Sequence, residues 1–191
     1  MIFGVIFVKK SKIPGAMKRT SIVLILTITL VTVAGCFKVD QLPAKPNIEF
    51  TSFEIFDTLD ILGNTSKGGI LLFRFEDGDG DLGLAPPTGL QTDTTNLQLV
   101  LYRKIDGNMV RINDKYDPLL PYSSYRIPYM ERLGQNQILR GTIAVTFIYQ
   151  SYNTGDTIKY EFYIKDRAEN YSNIEETAEI IVSENNTYTK Q

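Results

Sequence analysis

The chain has 191 residues, 20 Lys and Arg against 22 Asp and Glu for a net charge of −2, no histidine, no tryptophan and one cysteine. Without histidine there is no Ser-His-Asp or Cys-His catalysis, no histidine general base and almost no route to a catalytic zinc site. A single cysteine excludes an intrachain disulfide, and the weakly negative balance argues against nucleic acid, which requires clustered Lys and Arg.

Residues 1–16 (MIFGVIFVKKSKIPGA) set a short apolar run and three lysines ahead of Met17. No signal segment requires them, so Met17 is the expected start. From there Lys18 and Arg19, the uncharged stretch 22–35 and Val33-Ala34-Gly35-Cys36 follow the order of a secretory signal, a basic start, an apolar run and small residues before a cut. A retained membrane helix is the alternative, but a span needs about 20 apolar residues. Extending this stretch meets Lys38 and Asp40. The pattern at Cys36 resembles the lipobox of bacterial lipoproteins. That resemblance implies a diacylglycerol on the Cys36 sulfur, loss of residues 1–35 and an N-acyl lipid on the new amino terminus. The remaining chain carries 15 basic and 22 acidic residues, a net of −7. The expected membrane contact is therefore the lipid anchor itself, since several acyl chains give stable anchoring without electrostatic help. Residues 36–46, with Pro43 and Pro46, read as lipidated terminus and linker, about 35 Å at full extension.

From residue 47 onward the apolar period is two, as strands with one buried and one wet face require. In 47–57 (NIEFTSFEIFD) Ile48 and Phe50 fall out of phase with Phe53 and Ile55, which predicts a bulge near Ser52. Further strands are read over 69–75, 96–104, 109–113, 138–149, 158–164 and 174–183. Asp106-Gly107-Asn108 carries the signal of a tight hairpin. About seven antiparallel strands and no helix predict an all-β, immunoglobulin-like two-sheet sandwich over 47–184, followed by a polar tail at 185–191.

Alternating strand direction gathers the connections 76–95, 114–137 and 166–172 at one end. Two of these are long enough to expect a task of them. The first begins Glu76-Asp77-Gly78-Asp79-Gly80-Asp81-Leu82-Gly83. Carboxylates at every second position with glycines between let a tight loop turn several oxygens toward one centre, as a hard cation such as calcium requires. It is not an EF-hand, which needs glycine where Leu82 stands and an acidic residue where Thr88 stands. Asp166 and Asn170, from the turn at the same end, are candidate additional ligands. The alternative is a solvated acidic turn bonding its own backbone.

Phe73-Arg74-Phe75-Glu76-Asp77-Gly78-Asp79-Gly80-Asp81-Leu82-Gly83 and Tyr163-Ile164-Lys165-Asp166-Arg167-Ala168-Glu169-Asn170-Tyr171-Ser172-Asn173 resemble a group of Gram-negative lipoproteins. These pair a lipobox with one immunoglobulin-like or cadherin-like domain, an acidic DGDGD loop and a late D-R-A-G-N turn. Glu169 replaces the glycine of that turn. The resemblance implies the fold and a cell-envelope address and implies no activity; Phe37, which is not the aspartate of an inner-membrane retention signal, points to the outer membrane. The middle third of the chain has no counterpart in that group. There, Tyr122, Tyr125 and Tyr129 lie on a proline-stiffened stretch, 118–129, and offer a flat contact surface for an envelope protein or a glycan. Alternatively these rings cover an open part of the sandwich. Two functional classes follow, a non-catalytic binding module and a carboxylate-based glycoside hydrolase, with a purely structural envelope subunit as a third reading. A surface loop lacks the apolar burial that raises an acid's pKa, which favours the binding module.

Overall fold

A computed structural model describes residues 42–89, 95–113, 117–120, 122–131 and 137–190. The expected signal segment, Met17 and the expected lipidation site Cys36 lie outside the described residues. Residues 41–191 form one compact unit. Ten strands lie among its described residues: β1 (Asn47–Leu59), β2 (Thr65–Asp77), β3 (Leu97–Ile105), β4 (Asn108–Arg111), β5 (Ser124–Tyr125), β6 (Leu139–Tyr149), β7 (Thr157–Ile164), β8 (Glu175–Glu176), β9 (Ile180–Ile181) and β10 (Asn186–Thr189).

They make two antiparallel sheets packed face to face. One runs β10-β1-β2-β6; the other runs β4-β3-β7-β8, with β5 on β3 and β9 on β7. This is the expected all-β sandwich. Its fourth strand lies beside the third, as the Asp106-Gly107 hairpin dictates. Both turn residues have positive φ, 50° and 80°, which suits the twist of the strands they join.

The bulge falls beside Ser52, as expected. The β1–β2 register shifts between Phe50 and Ser52, and this rephasing buries Ile48, Phe50, Phe53 and Ile55 together. Phe53, Phe147 and Tyr160 stack at centroid distances of 5.5–5.8 Å. The hydroxyls of the two wholly buried tyrosines are partnered: Tyr149 and Tyr160 share a 3.1 Å hydrogen bond, and Tyr160 donates to the Leu119 carbonyl.

Two expectations are corrected. The strand expected over 174–183 is split into β8 and β9, because Thr177 turns its hydroxyl inward to accept the Tyr160 N–H at 3.1 Å. The polar tail expected at 185–191 instead contains β10, which pairs with β1 from Ser52↔Thr189 to Ile55↔Asn186. The domain therefore reaches past residue 184.

The long connection between β4 and β6 is part of the core. Arg103 holds Asp117 at 3.0 Å, and Leu119, Leu120 and Ile127 are buried. Leu99 N–H donates to the Ser123 carbonyl at 2.9 Å and Asn96 N–H to the Tyr125 carbonyl at 3.0 Å. The segment thus runs along β3 and closes the open side of the sandwich, where Tyr125 meets Phe147 ring edge to ring face at 5.5 Å. No helix among the described residues is long and apolar enough to cross a membrane.

Candidate metal centre

The acidic residues sit where β2 ends. Asp77 is the last residue of β2 and wholly buried; the chain then turns through Gly78 and Gly80, the latter at φ 65°. Three segments hold the turn. On one side Gly78 N–H donates to the Pro43 carbonyl at 3.1 Å, an approach so close that a Cβ at position 78 would collide with the Leu42 and Pro43 carbonyls. On another, Leu84 exchanges hydrogen bonds with Ile127 and Tyr129 at 3.0 and 2.9 Å, while the Arg126 guanidinium donates to the carbonyls of Leu84 and Ala85. On the third, Arg167 donates to the Gly83 carbonyl at 2.9 Å. The three connections expected at one end do meet there.

Within this frame Asp77, Asp79, Asp81 and Asp166 each bring one carboxylate oxygen to within 4.8 Å of the others. In Asp77 and Asp81 the second oxygen is bound by the protein, and in Asp166 both oxygens are. Asp77 Oδ2 accepts Leu82 N–H at 2.7 Å, Asp81 Oδ2 accepts Ala168 N–H at 2.9 Å, and Asp166 accepts both the backbone and side-chain N–H of Asn170, at 2.8 and 2.9 Å. By contrast the Oδ1 atoms of Asp77, Asp79 and Asp81 are buried with no hydrogen-bond partner. Buried polar atoms normally have one. Leaving three negative oxygens desolvated and side by side is costly unless a positive charge joins them.

The titration of the group reflects this. Burial, followed by the neighbouring Asp79 and Asp81 carboxylates, raises Asp77 from 3.8 to about 6 against the opposing Leu82 hydrogen bond. Asp81 is raised by burial first and then by Asp166 and Asp79. The four aspartates can hold a metal ion; Asn170, expected as a ligand, orients Asp166 through its backbone and side-chain N–H groups.

The tyrosines separate into two places. Tyr122 is exposed and meets Tyr125 edge-on at 5.8 Å, beside the middle of β3. Tyr125 is half-buried, its hydroxyl has no partner, and burial raises its pKa. Tyr129 lies at the acidic end, with the Arg167 guanidinium 5.0 Å over its ring. Sequence reasoning missed Asn96, Arg126 and Arg167. Asn96 is fully buried and its side-chain oxygen accepts Ile127 N–H at 2.7 Å, pinning the segment that braces the acidic turn. A polar residue immediately before an apolar strand is the only signal that marks it in the sequence. Compared with known proteins, the chain matches no family model, no curated protein and no solved structure.

Proposed function

We propose that this is a non-catalytic interaction module of the cell envelope, anchored through lipid on Cys36, whose loop end is organised by a calcium ion held by Asp77, Asp79, Asp81 and Asp166. One observation carries the cation: three buried carboxylate oxygens without a hydrogen-bond donor, converging with a fourth carboxylate within 4.8 Å. Calcium takes six to eight oxygens, so backbone carbonyls and water complete the shell. Bound there, the ion joins the end of β2 to the β7–β8 turn, which supplies Asp166, and stiffens the surface offered to envelope proteins or glycans. The hydrolase reading is disfavoured by the same geometry. A glycosidase needs two reachable carboxylates flanking a bond, about 5 Å apart or more, whereas Asp77 is wholly buried and the others crowd against it.

Calorimetry of the domain with calcium tests the proposal. Saturable binding and a raised melting temperature are expected, both lost in Asp79→Ala and Asp81→Ala. A melting curve that millimolar calcium leaves unmoved would reject the site. Measurable turnover of chromogenic glycosides, abolished at Asp81, would restore the enzyme reading.

A further inference from the structure

The first sheet ends on β6, whose outer edge is unpaired among the described residues. β6 is eleven residues long. It pairs with β2 on one side without any register shift, and among the described residues no backbone group of 139–149 is bonded on the other side. Proteins normally blunt such an edge with a proline, a bulge, a lysine or brevity. β6 (LRGTIAVTFIY) has none of these and a single charge, Arg140, which is engaged with Glu76 at 3.1 Å.

The two halves of the edge differ. Beside the C-terminal half lies an open groove of about 620 Å³, lined by Ile61, Leu120, Tyr122, Phe147 and Ile148 among others. Ile61 is 88 % exposed and Tyr122 68 %, so the groove has an uncovered apolar rim. Along the N-terminal half the inward-facing side chains, Leu139 and Ile143, are only half-buried. One half carries an apolar recess and the other carries incompletely covered aliphatic groups.

We infer that β6 is a homodimer edge, pairing antiparallel with β6 of a second copy about a two-fold axis through Ala144. An isologous contact must be self-complementary, and this strand is. About its midpoint Leu139 faces the partner's Tyr149, Ile143 faces Val145, Thr142 faces Thr146 and Arg140 faces Ile148, so no like charges oppose. The half-covered aliphatic groups of each copy fall beside the groove of the other, and the open backbone groups are satisfied along the seam. The two four-stranded sheets become one of eight. A strand of an unrelated protein fits the backbone edge equally, but the match between the two halves of β6 is specific to a second copy. The inference does not depend on the cation.

Residues 41–191 contain the whole two-sheet core, so sedimentation of that domain, in calcium and in chelator, is the direct measurement. A concentration-dependent dimer is expected in both. Ala144 is exposed on the outer face, so Ala144→Lys leaves the melting temperature of the monomer unchanged. It sets two ammonium groups against each other on the axis and yields a monomer. Ala144→Glu does the same, and mixing the two variants restores a dimer. In the full chain a short thiol cross-linker joins Ala144→Cys protomers, with the parent chain, whose only cysteine is Cys36, as control. A wild-type domain that stays monomeric at high concentration, or a dimer that survives Ala144→Lys, overturns the inference.

Discussion

Glu169 is one of two non-glycine residues among those described with positive φ, at 67°. It is held there by the Asp166 turn, whose carboxylate takes both N–H groups of Asn170 while Asp166 N–H reaches back to the Asn170 carbonyl at 3.1 Å. The conformation is thus imposed by the residues that orient a candidate ligand. An L-residue there costs roughly 1–2 kcal/mol, partly offset because glycine loses more freedom on folding. The Lys165 contact of Glu169, 3.8 Å long with the carboxylate 78 % exposed, contributes little. Glu169→Gly is therefore expected to raise stability by about 0.5–1 kcal/mol in urea unfolding, with calcium affinity retained. A loss of stability would mean that the side chain, not the backbone, holds the turn.

At the scale of elements, β10 is the clearest lesson. Asn186-Thr187-Tyr188-Thr189 has one apolar residue in four, and although Thr and Tyr favour strands, no apolar alternation marks one. It exists because β1 has a free side and because the Tyr188 hydroxyl accepts Ile181 N–H at 3.1 Å. Deleting residues 186–191 is expected to cost roughly 2 kcal/mol, at about 1 kcal/mol per net hydrogen bond. It also uncovers β1 and promotes aggregation, which light scattering alongside a melting curve will register. β2, β3, β6 and β7 were legible because alternation is dictated by one buried face, and the bulge was legible because Ile48 and Phe50 could not otherwise join Phe53. The 117–130 segment was not, since Leu119, Leu120 and Ile127 have no period and are buried by lying along β3. In the acidic turn the carboxylate spacing was visible from the residues. The division of Asp77 and Asp81 into a bonded and an unbonded oxygen depends on Leu82 and Ala168, and the orientation of Asp166 on Asn170, partners that only the folded chain brings near.

For the whole molecule the acidic cluster ties stability to pH and cation together. The folded pKa of Asp77 lies at about 6, above its ordinary 3.8, chiefly through burial. A raised carboxyl stabilises the fold fully below the unfolded pKa and loses that contribution as pH climbs through the folded one. The cation-free domain is thus expected to lose roughly 2–3 kcal/mol between about pH 4 and about 6. Calcium at the proposed site would bind the ionised group, so the stabilisation expected from it grows over the same window. Scanning calorimetry across that range, with and without chelator, shows both trends; a cation-free melting temperature that rises from pH 4 to 6 would contradict them. The contact between Gly78 N–H and the Pro43 carbonyl adds a mechanical consequence. Any pull on the chain ahead of Leu42 meets the acidic turn first and only then β1, which is flanked by β2 along its length and by β10. Load along β1 shears many hydrogen bonds at once, but the Gly78–Pro43 link yields alone. The turn is therefore the weak link in series with a strong one, and under the anchoring and cation site proposed above a bound ion would set how much slack the chain ahead of Leu42 has before the sandwich itself bears force.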